Sequence, residues 1–178
     1  MSRIGKQTIE LPERVTVKTD GQRMVVAGPL GQLERELPAE FELALAPGQV
    51  KLVPRRPTTE PYPLWGTYAA HLKNMIRGVA TGFEKRLMVE GVGYKAVVAG
   101  NTLTLSVGFS HPVPINIPDG LKVTADKGLL VVTGLNRELV GQFAATLRAV
   151  RPPDPYKDKG IRYLDEVLVK KQGKKVVS

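Results

Sequence analysis

Ile9-Glu10-Leu11-Pro12-Glu13-Arg14-Val15-Thr16-Val17 is echoed 106 positions later by Ile115-Asn116-Ile117-Pro118-Asp119-Gly120-Leu121-Lys122-Val123. Pro12 and Pro118, Val17 and Val123, and Asp20 and Asp126 coincide, and the MVVAG ending at Gly28 matches the LVVTG ending at Gly134. A second echo, 75 positions apart, sets Gly66, Tyr68, Ala69, Ala70, Leu72 and Lys73 over Gly141, Phe143, Ala144, Ala145, Leu147 and Arg148. The repetition predicts an α+β protein with two similar small domains from an internal duplication, each an antiparallel-rich sheet packed against one main helix. Copies of a scaffold share packing positions, so function is expected where they differ. They differ most at RPPDPYKDKGIRY, residues 151–163, and in the basic tail behind it.

Around the echoes, the first copy reads as short alternating or β-branched runs: 15–18, 23–27, 33–37, 41–45 and 49–53. Turn signals such as Thr19-Asp20-Gly21, Gly28-Pro29 and Ala46-Pro47-Gly48 bound them. After the proline-rich stretch 54–63, Leu64, Tyr68, Leu72, Met75, Ile76 and Val79 recur at helical spacing, with Gly78 and Gly82 placed to end that helix. The second copy reads as strands over 87–98, 103–109, 113–117, 121–125 and 129–133. Asn136 then serves as a helix N-cap, followed by an apolar stripe through Leu139, Val140, Phe143, Leu147 and Val150. Pro152-Pro153 ends that helix, and residues 163–169 are expected to return as a strand. The interval from Gly28 to Gly66 is 38 positions but that from Gly134 to Gly141 is seven, which predicts that strands were gained or lost between the copies. The expected division is an N-terminal α+β domain over 1–82, a C-terminal α+β domain over 83–170 and a basic tail over 171–178.

With 178 residues, 42% of them hydrophobic, the chain can bury one or two small cores. No apolar run approaches the length of a membrane span, and the opening MSRIGKQTIELP lacks a signal peptide's apolar stretch, so a cytoplasmic protein with no membrane association is expected. The absence of cysteine excludes disulfides, thiolate zinc sites and thiol nucleophiles. Charge carries the partner signal: 26 Lys and Arg against 17 Asp and Glu leave +9. Residues 148–178 hold nine of those cations and only four anions, so more than half of the excess lies in the last sixth of the chain. Such a distribution suits a polyanion, nucleic acid first, although basic tails also serve solubility alone.

Enzyme chemistry finds little support. Of the two histidines, His71 falls on the first helix, where its counterpart is Thr146, and no serine nucleophile is placed beside it. His111, in the loop Gly108-Phe109-Ser110-His111-Pro112-Val113, is either a contact to phosphate or base or an inert loop residue. Gly91-Val92-Gly93-Tyr94-Lys95 invites a phosphate-loop reading but lacks GxxxxGK[ST] spacing and sits in a strand pattern. It reads as a bulge or a close backbone approach, or as Tyr94 and Lys95 meeting RNA from a strand end. Glu34, Glu36, Glu40 and Glu42 look like solvated faces, and no cofactor or metal is implied.

RPPDPYKDKGIRY differs from all of these. Three prolines in five residues stiffen the chain, and Gly160 permits a sharp turn, so the segment loses little entropy on docking. Arg151, Lys157, Lys159 and Arg162 surround Tyr156 and Tyr163, a pairing of cations and aromatic faces that RNA loops and backbone call for. The alternative is a structural connection whose tyrosines complete the second core.

Taken together, SRIGK at the start, GVGYK at Gly91, GFSHPV at Gly108, GQFAATLRAVR at Gly141 and RPPDPYKDKGIRY resemble the bacterial large-subunit ribosomal protein L-six family, from Ser2 to Lys171. The resemblance implies a non-enzymatic structural constituent of the large ribosomal subunit in the cytoplasm, binding large-subunit (23S) rRNA mainly through the second domain and C-terminal segment. That place is near the sarcin-ricin loop, where translation factors dock, with neighbouring large-subunit proteins as further partners and with support of subunit assembly and translation as the role. By the same resemblance the RNA contacts fall on Lys95, His111, Arg151, Tyr156, Lys157, Lys159, Arg162, Lys170, Lys171, Lys174 and Lys175, with Ser2, Arg3 and Lys6 as further contacts. One departure is Asp158, where the family usually has glycine; aspartate tolerates a left-handed backbone better than most residues. The rivals are a phosphate-ligand enzyme using Gly91 to Lys95 and a free RNA-binding module that regulates messages.

Overall fold

The computed structural model describes residues 3–55 and 63–172. Its elements run β1 (Ile9–Glu10), β2 (Thr16–Asp20), β3 (Arg23–Gly28), β4 (Gly31–Glu36), β5 (Phe41–Ala46), β6 (Gln49–Pro54), α1 (Pro63–Thr81), β7 (Phe83–Glu90), β8 (Lys95–Ala99), β9 (Thr102–Ser106), β10 (Val113–Asn116), β11 (Leu121–Asp126), β12 (Leu129–Gly134), α2 (Arg137–Val150) and β13 (Gly160–Tyr163). The chain divides into two compact units, Met1–Phe83 with Leu135–Arg137, and Glu84–Gly134 with Glu138–Ser178.

In unit one, sheets ordered β1-β6-β5 and β2-β3-β4 accompany α1. The helical spacing read from the sequence buries Leu72, Met75, Ile76 and Val79 against Val17, Met24, Val26 and Val50. A second cluster joins Leu37, Phe41, Leu52, Trp65 and Ala69, and the Trp65 indole N–H donates to Leu52 O at 2.9 Å. That bond lets the large ring be buried without an orphaned donor. Gly78 does not end the helix. It lies inside α1, where a Cβ would collide with the Leu135 carbonyl, while Gly82, at φ +75°, closes the helix after Thr81.

Unit two carries sheets ordered β10-β9-β8 and β11-β12-β7-β13 with α2, which begins directly after Asn136. Leu87, Leu103, Leu105, Leu130, Leu147 and Ile161 are fully buried. The single strand expected over 87–98 is two, β7 and β8, because Gly91-Val92-Gly93-Tyr94 forms a turn with Gly93 at φ +76°. The strand expected to reach Phe109 stops at Ser106. The strand expected at 163–169 is instead Gly160–Tyr163, paired with Leu87–Glu90 and thus fixed by a partner some 70 positions away.

The duplication is real, but its register is not the one that the 106-position echo suggests. Four backbone hydrogen bonds recur 78 to 80 positions apart: Leu11 N to Gly48 O and Val89 N to Gly128 O; Val15 N to Pro12 O and Tyr94 N to Gly91 O; Leu37 N to Gln22 O and Ile117 N to Asn101 O; Phe41 N to Pro38 O and Leu121 N to Pro118 O. They align β1 with β7, the meander β2-β3-β4 with β8-β9-β10 and the hairpin β5-β6 with β11-β12, after which α1 and α2 follow in the same order. Sheet orders agree, β5-β6-β1 against β11-β12-β7. Buried positions agree as well: Met24 with Leu103, Val26 with Leu105, Val50 with Leu130 and Leu72 with Leu147 are all 0% exposed. Among the described residues, no strand was gained or lost between Gly28 and Gly66. Gly134 does not correspond to Gly28, so the two intervals measure different stretches of the fold; the one added strand among those residues is β13.

Candidate nucleic-acid interface

Helix α2 ends at Val150, and Pro152 and Pro153, which cannot continue it, turn the chain out into the elbow 151–160. Its shape is fixed from within. Asp154 N donates to Lys159 O at 2.9 Å, Asp158 N to Asp154 O at 3.0 Å, and Tyr156 N to the Asp154 carboxylate at 2.9 Å. Asp158 takes a left-handed backbone, at φ +56°, which aspartate tolerates better than most residues. At Gly160, with φ +148°, a Cβ would lie 2.6 Å from Pro153 Cα and 2.7 Å from Pro152 O. Only glycine fits there, and Ile161 N then donates to Arg151 O at 2.8 Å, closing the elbow on the start of β13.

Behind the elbow a set of ion pairs fastens the following segment to the sheet and helix. The Arg148 guanidinium donates to both Glu166 oxygens, at 2.9 and 2.6 Å, and Tyr163 N adds a third bond to that carboxylate at 3.1 Å. The hydrogen bond from Arg148 outweighs desolvation and holds the Glu166 carboxyl below its ordinary pKa. The same pairing raises Arg148. Arg162 donates to Glu90 at 3.1 and 3.3 Å, and hydrogen bonding to that carboxylate raises its pKa.

The sequence-derived residues therefore separate by environment. Lys157, Lys159 and Tyr156 are exposed on the elbow, Tyr156 by 57%. Arg162 is not presented with them: its side chain is only 22% exposed and is engaged by Glu90, so it braces β13 against β7. Tyr163 is half-buried, with the Lys85 ammonium 5.4 Å from its ring centre. Lys170 is exposed but ion-paired with Asp158, and Lys171 N donates to Pro155 O at 3.0 Å, so the basic segment crosses back over the elbow. Lys174 and Lys175, like Ser2, lie outside the described residues. Arg3 and Lys6 are exposed in the turn before β1, in unit one.

Three segments distant in sequence meet beside the elbow. The Tyr94 ring fills the space over Gly91, 2.6 Å from where a Cβ would stand, and its hydroxyl end lies over Gly108. It is a side-chain ring and not a backbone that closes over Gly91, nothing lies within 4 Å of a Cβ at Gly93, and the run forms a turn instead of a bulge. The Arg151 guanidinium lies 5.4 Å from the ring centre of Phe109, which is 43% exposed. Lys95 opens β8, and His111 is exposed in the loop after β9, its ring 3.4 Å from the Ser110 hydroxyl. Phe109 was missed in the sequence because an apolar residue following Leu103, Leu105 and Val107 reads as more strand; the break is Gly108, at φ +81°.

What this surface offers is a rigid array of ammonium and guanidinium groups with two exposed aromatic rings, the chemistry that phosphate and unpaired bases accept. Among the described residues, no group of three or more His, Cys, Asp or Glu could hold a metal ion, and no helix is long and apolar enough to cross a membrane.

The family model described as Ribosomal protein L6 matches residues 11–82 and 90–164, two segments that start 79 positions apart, the offset at which the backbone hydrogen bonds recur. The large ribosomal subunit protein uL6 of Azorhizobium caulinodans is 46% identical over 176 residues, covering 98% of this chain and 99% of the relative. Its namesake in Alcanivorax borkumensis is 45% identical over the same shares, and that of Trichodesmium erythraeum 43% identical over 98% of both chains. The chain belongs to the ribosomal protein L6 family.

Proposed function

We propose that this protein is a structural constituent of the large ribosomal subunit that holds large-subunit rRNA through unit two and the basic segment behind it. The observation that carries the reading is the elbow: Gly160 wedged against Pro152 and Pro153, three internal hydrogen bonds, and Lys157, Lys159 and Tyr156 directed to solvent. A rigid loop holding cations at fixed spacing displaces condensed counterions when it meets phosphates and gives up little entropy of its own. The role is scaffolding, and nothing is turned over. Lys95, His111, Arg151, Lys170 and Lys171 extend the contact, as do Lys174 and Lys175, while Arg162 acts from behind as a brace. By the family resemblance this contact lies beside the sarcin-ricin loop and the translation-factor site, next to other large-subunit proteins, and the domain after residue 82 is the main RNA-binding part.

Sedimentation tests the reading. The purified or tagged protein is expected to travel with large subunits and to resist moderate salt, and protection of rRNA riboses should map to one contiguous region. A protein that stays at the top of the gradient, or that prefers its own messenger to rRNA, would replace the scaffold reading with that of a free regulator. Nucleotide turnover abolished by Lys95→Ala would restore the enzyme reading.

A further inference from the structure

The two copies of the three-stranded meander share one register, so each is a control for the other. In unit one the rows Lys18–Val25–Glu34 and Asp20–Arg23–Glu36 cross β2-β3-β4. The equivalent rows in unit two are Val97–Thr104–Pro114 and Ala99–Thr102–Asn116, across β8-β9-β10. Strand alternation puts both sets on the outward face, opposite buried Met24 and Val26 in one copy and buried Leu103 and Leu105 in the other.

Every charged residue on the unit-one rows, Lys18, Asp20, Arg23, Glu34 and Glu36, is neutral in unit two: Val97, Ala99, Thr102, Pro114 and Asn116. The third row changes the other way, Thr16–Ala27 becoming Lys95–Ser106. One copy thus carries the mixed charges of a solvated face, and the other has shed three carboxylates and two cations, a net loss of one negative charge, gained a lysine at one end and left Val97 57% exposed. Losing charges from a face that meets only water brings no stability, since isolated surface pairs contribute little either way. It does bring freedom from repulsion toward a polyanion.

We infer that the outward face of β8-β9-β10 lies against the shallow groove of a double-helical segment of rRNA, with Lys95 on a flanking phosphate. The inference rests on the reading of unit two as the rRNA-binding part and assigns it a second surface beyond the elbow. A-form RNA presents a wide, shallow groove lined by ribose 2′-hydroxyls, which needs a flat protein surface with short donors and acceptors. Thr102, Thr104, Ser106 and Asn116 supply them. A protein neighbour is the poorer fit, because such interfaces are anchored by aromatic or large apolar side chains and the largest apolar group in these rows is Val97.

The test returns unit-one chemistry to unit two in the full-length protein. Ala99→Asp with Asn116→Glu places carboxylates at the register positions of Asp20 and Glu36, with Thr102 between them where unit one has Arg23, so unfolding temperature should fall by no more than a few degrees. Affinity for a large-subunit rRNA transcript should fall about tenfold or more. Ala99→Lys with Asn116→Lys should bind at least as tightly as wild type. Should the acidic pair perturb folding, Thr102→Val with Thr104→Val removes the hydroxyls at constant shape and is expected to weaken binding several-fold, with loss of ribose protection. Unchanged transcript affinity for the acidic pair, while Lys157→Ala with Lys159→Ala weakens it, overturns the sheet-face contact and leaves the RNA reading intact. Wild-type transcript affinity with failed incorporation into subunits for both charge signs assigns the face to a protein and overturns the inference. Loss of effect in both the face and elbow variants sinks the RNA reading itself.

Discussion

Gly160→Ala perturbs the elbow at the one atom position where its geometry leaves no room. A residue other than glycine at φ +148° carries backbone strain of about 1–3 kcal/mol. The added Cβ would stand 2.6 Å from Pro153 Cα and 2.7 Å from Pro152 O, and these are backbone atoms of a proline pair that no rotamer change can clear. Relieving such overpacking by moving the backbone costs about 1–3 kcal/mol more. Because Gly160 also opens β13, opposite Glu90, the strain is shared by the elbow and the sheet edge. The expected cost is about 2–6 kcal/mol, or roughly 4–24 °C in unfolding temperature at this chain length. Urea and thermal unfolding measure it, with rRNA affinity alongside, which should fall about tenfold as Lys157 and Lys159 lose their places. Gly141→Ala is the control: nothing lies within 4 Å of its Cβ position in α2, and the change should be neutral or stabilising by up to about 1 kcal/mol. A Gly160→Ala protein as stable and as tightly bound as wild type would refute a rigid elbow.

Arg162→Ala should cost about 1–3 kcal/mol, because Glu90 loses its partner at a half-buried site, whereas Lys157→Ala with Lys159→Ala should leave unfolding unchanged and lower only RNA affinity. Leu72→Ala and Leu147→Ala, at equivalent fully buried positions, should each cost about 2–5 kcal/mol in chemical denaturation, and a cost confined to one of them would contradict equivalent cores. Glu166→Gln should cost about 1 kcal/mol at neutral pH, discounted because the Arg148 side chain is 36% exposed. Its folded-state pKa lies below the ordinary 4.5, so the contribution is present above that value and fades as pH falls through the depressed one. The gap in urea midpoint between variant and wild type should therefore close in acid; a constant gap down to pH 2 would argue against the pair.

The helices were legible because apolar residues three and four apart line one face of a helix and no face of a strand, and the elbow because three prolines and a glycine leave the backbone few choices. The register of the duplication was not. Pro-x-x turns leading into alternating valines recur in any antiparallel hairpin, so Ile9–Val17 and Ile115–Val123 resemble one another without occupying the same place. The true correspondence is carried by backbone bonds such as Phe41 N to Pro38 O and Leu121 N to Pro118 O, which demand little side-chain identity. Arg162 shows the same limit at the site. Within the motif it looks like Lys157 or Lys159, and only a partner 72 positions away, Glu90, removes it from the exposed set. Phe109 was hidden by continuity with a strand that Gly108 ends, whereas Tyr94 was singled out but placed in a strand, where the chain instead makes a turn that its ring helps to fill.

Cations held by the stiff elbow neutralise rRNA phosphates in this account, and the salt dependence of binding reports that neutralisation. For the full-length protein and a large-subunit rRNA transcript, the slope of log Kd against log salt should drop by about 1.4–1.8 when Lys157 and Lys159 are both changed to alanine, as expected for two lost phosphate contacts. An unchanged slope and affinity would mean that the elbow does not meet the RNA.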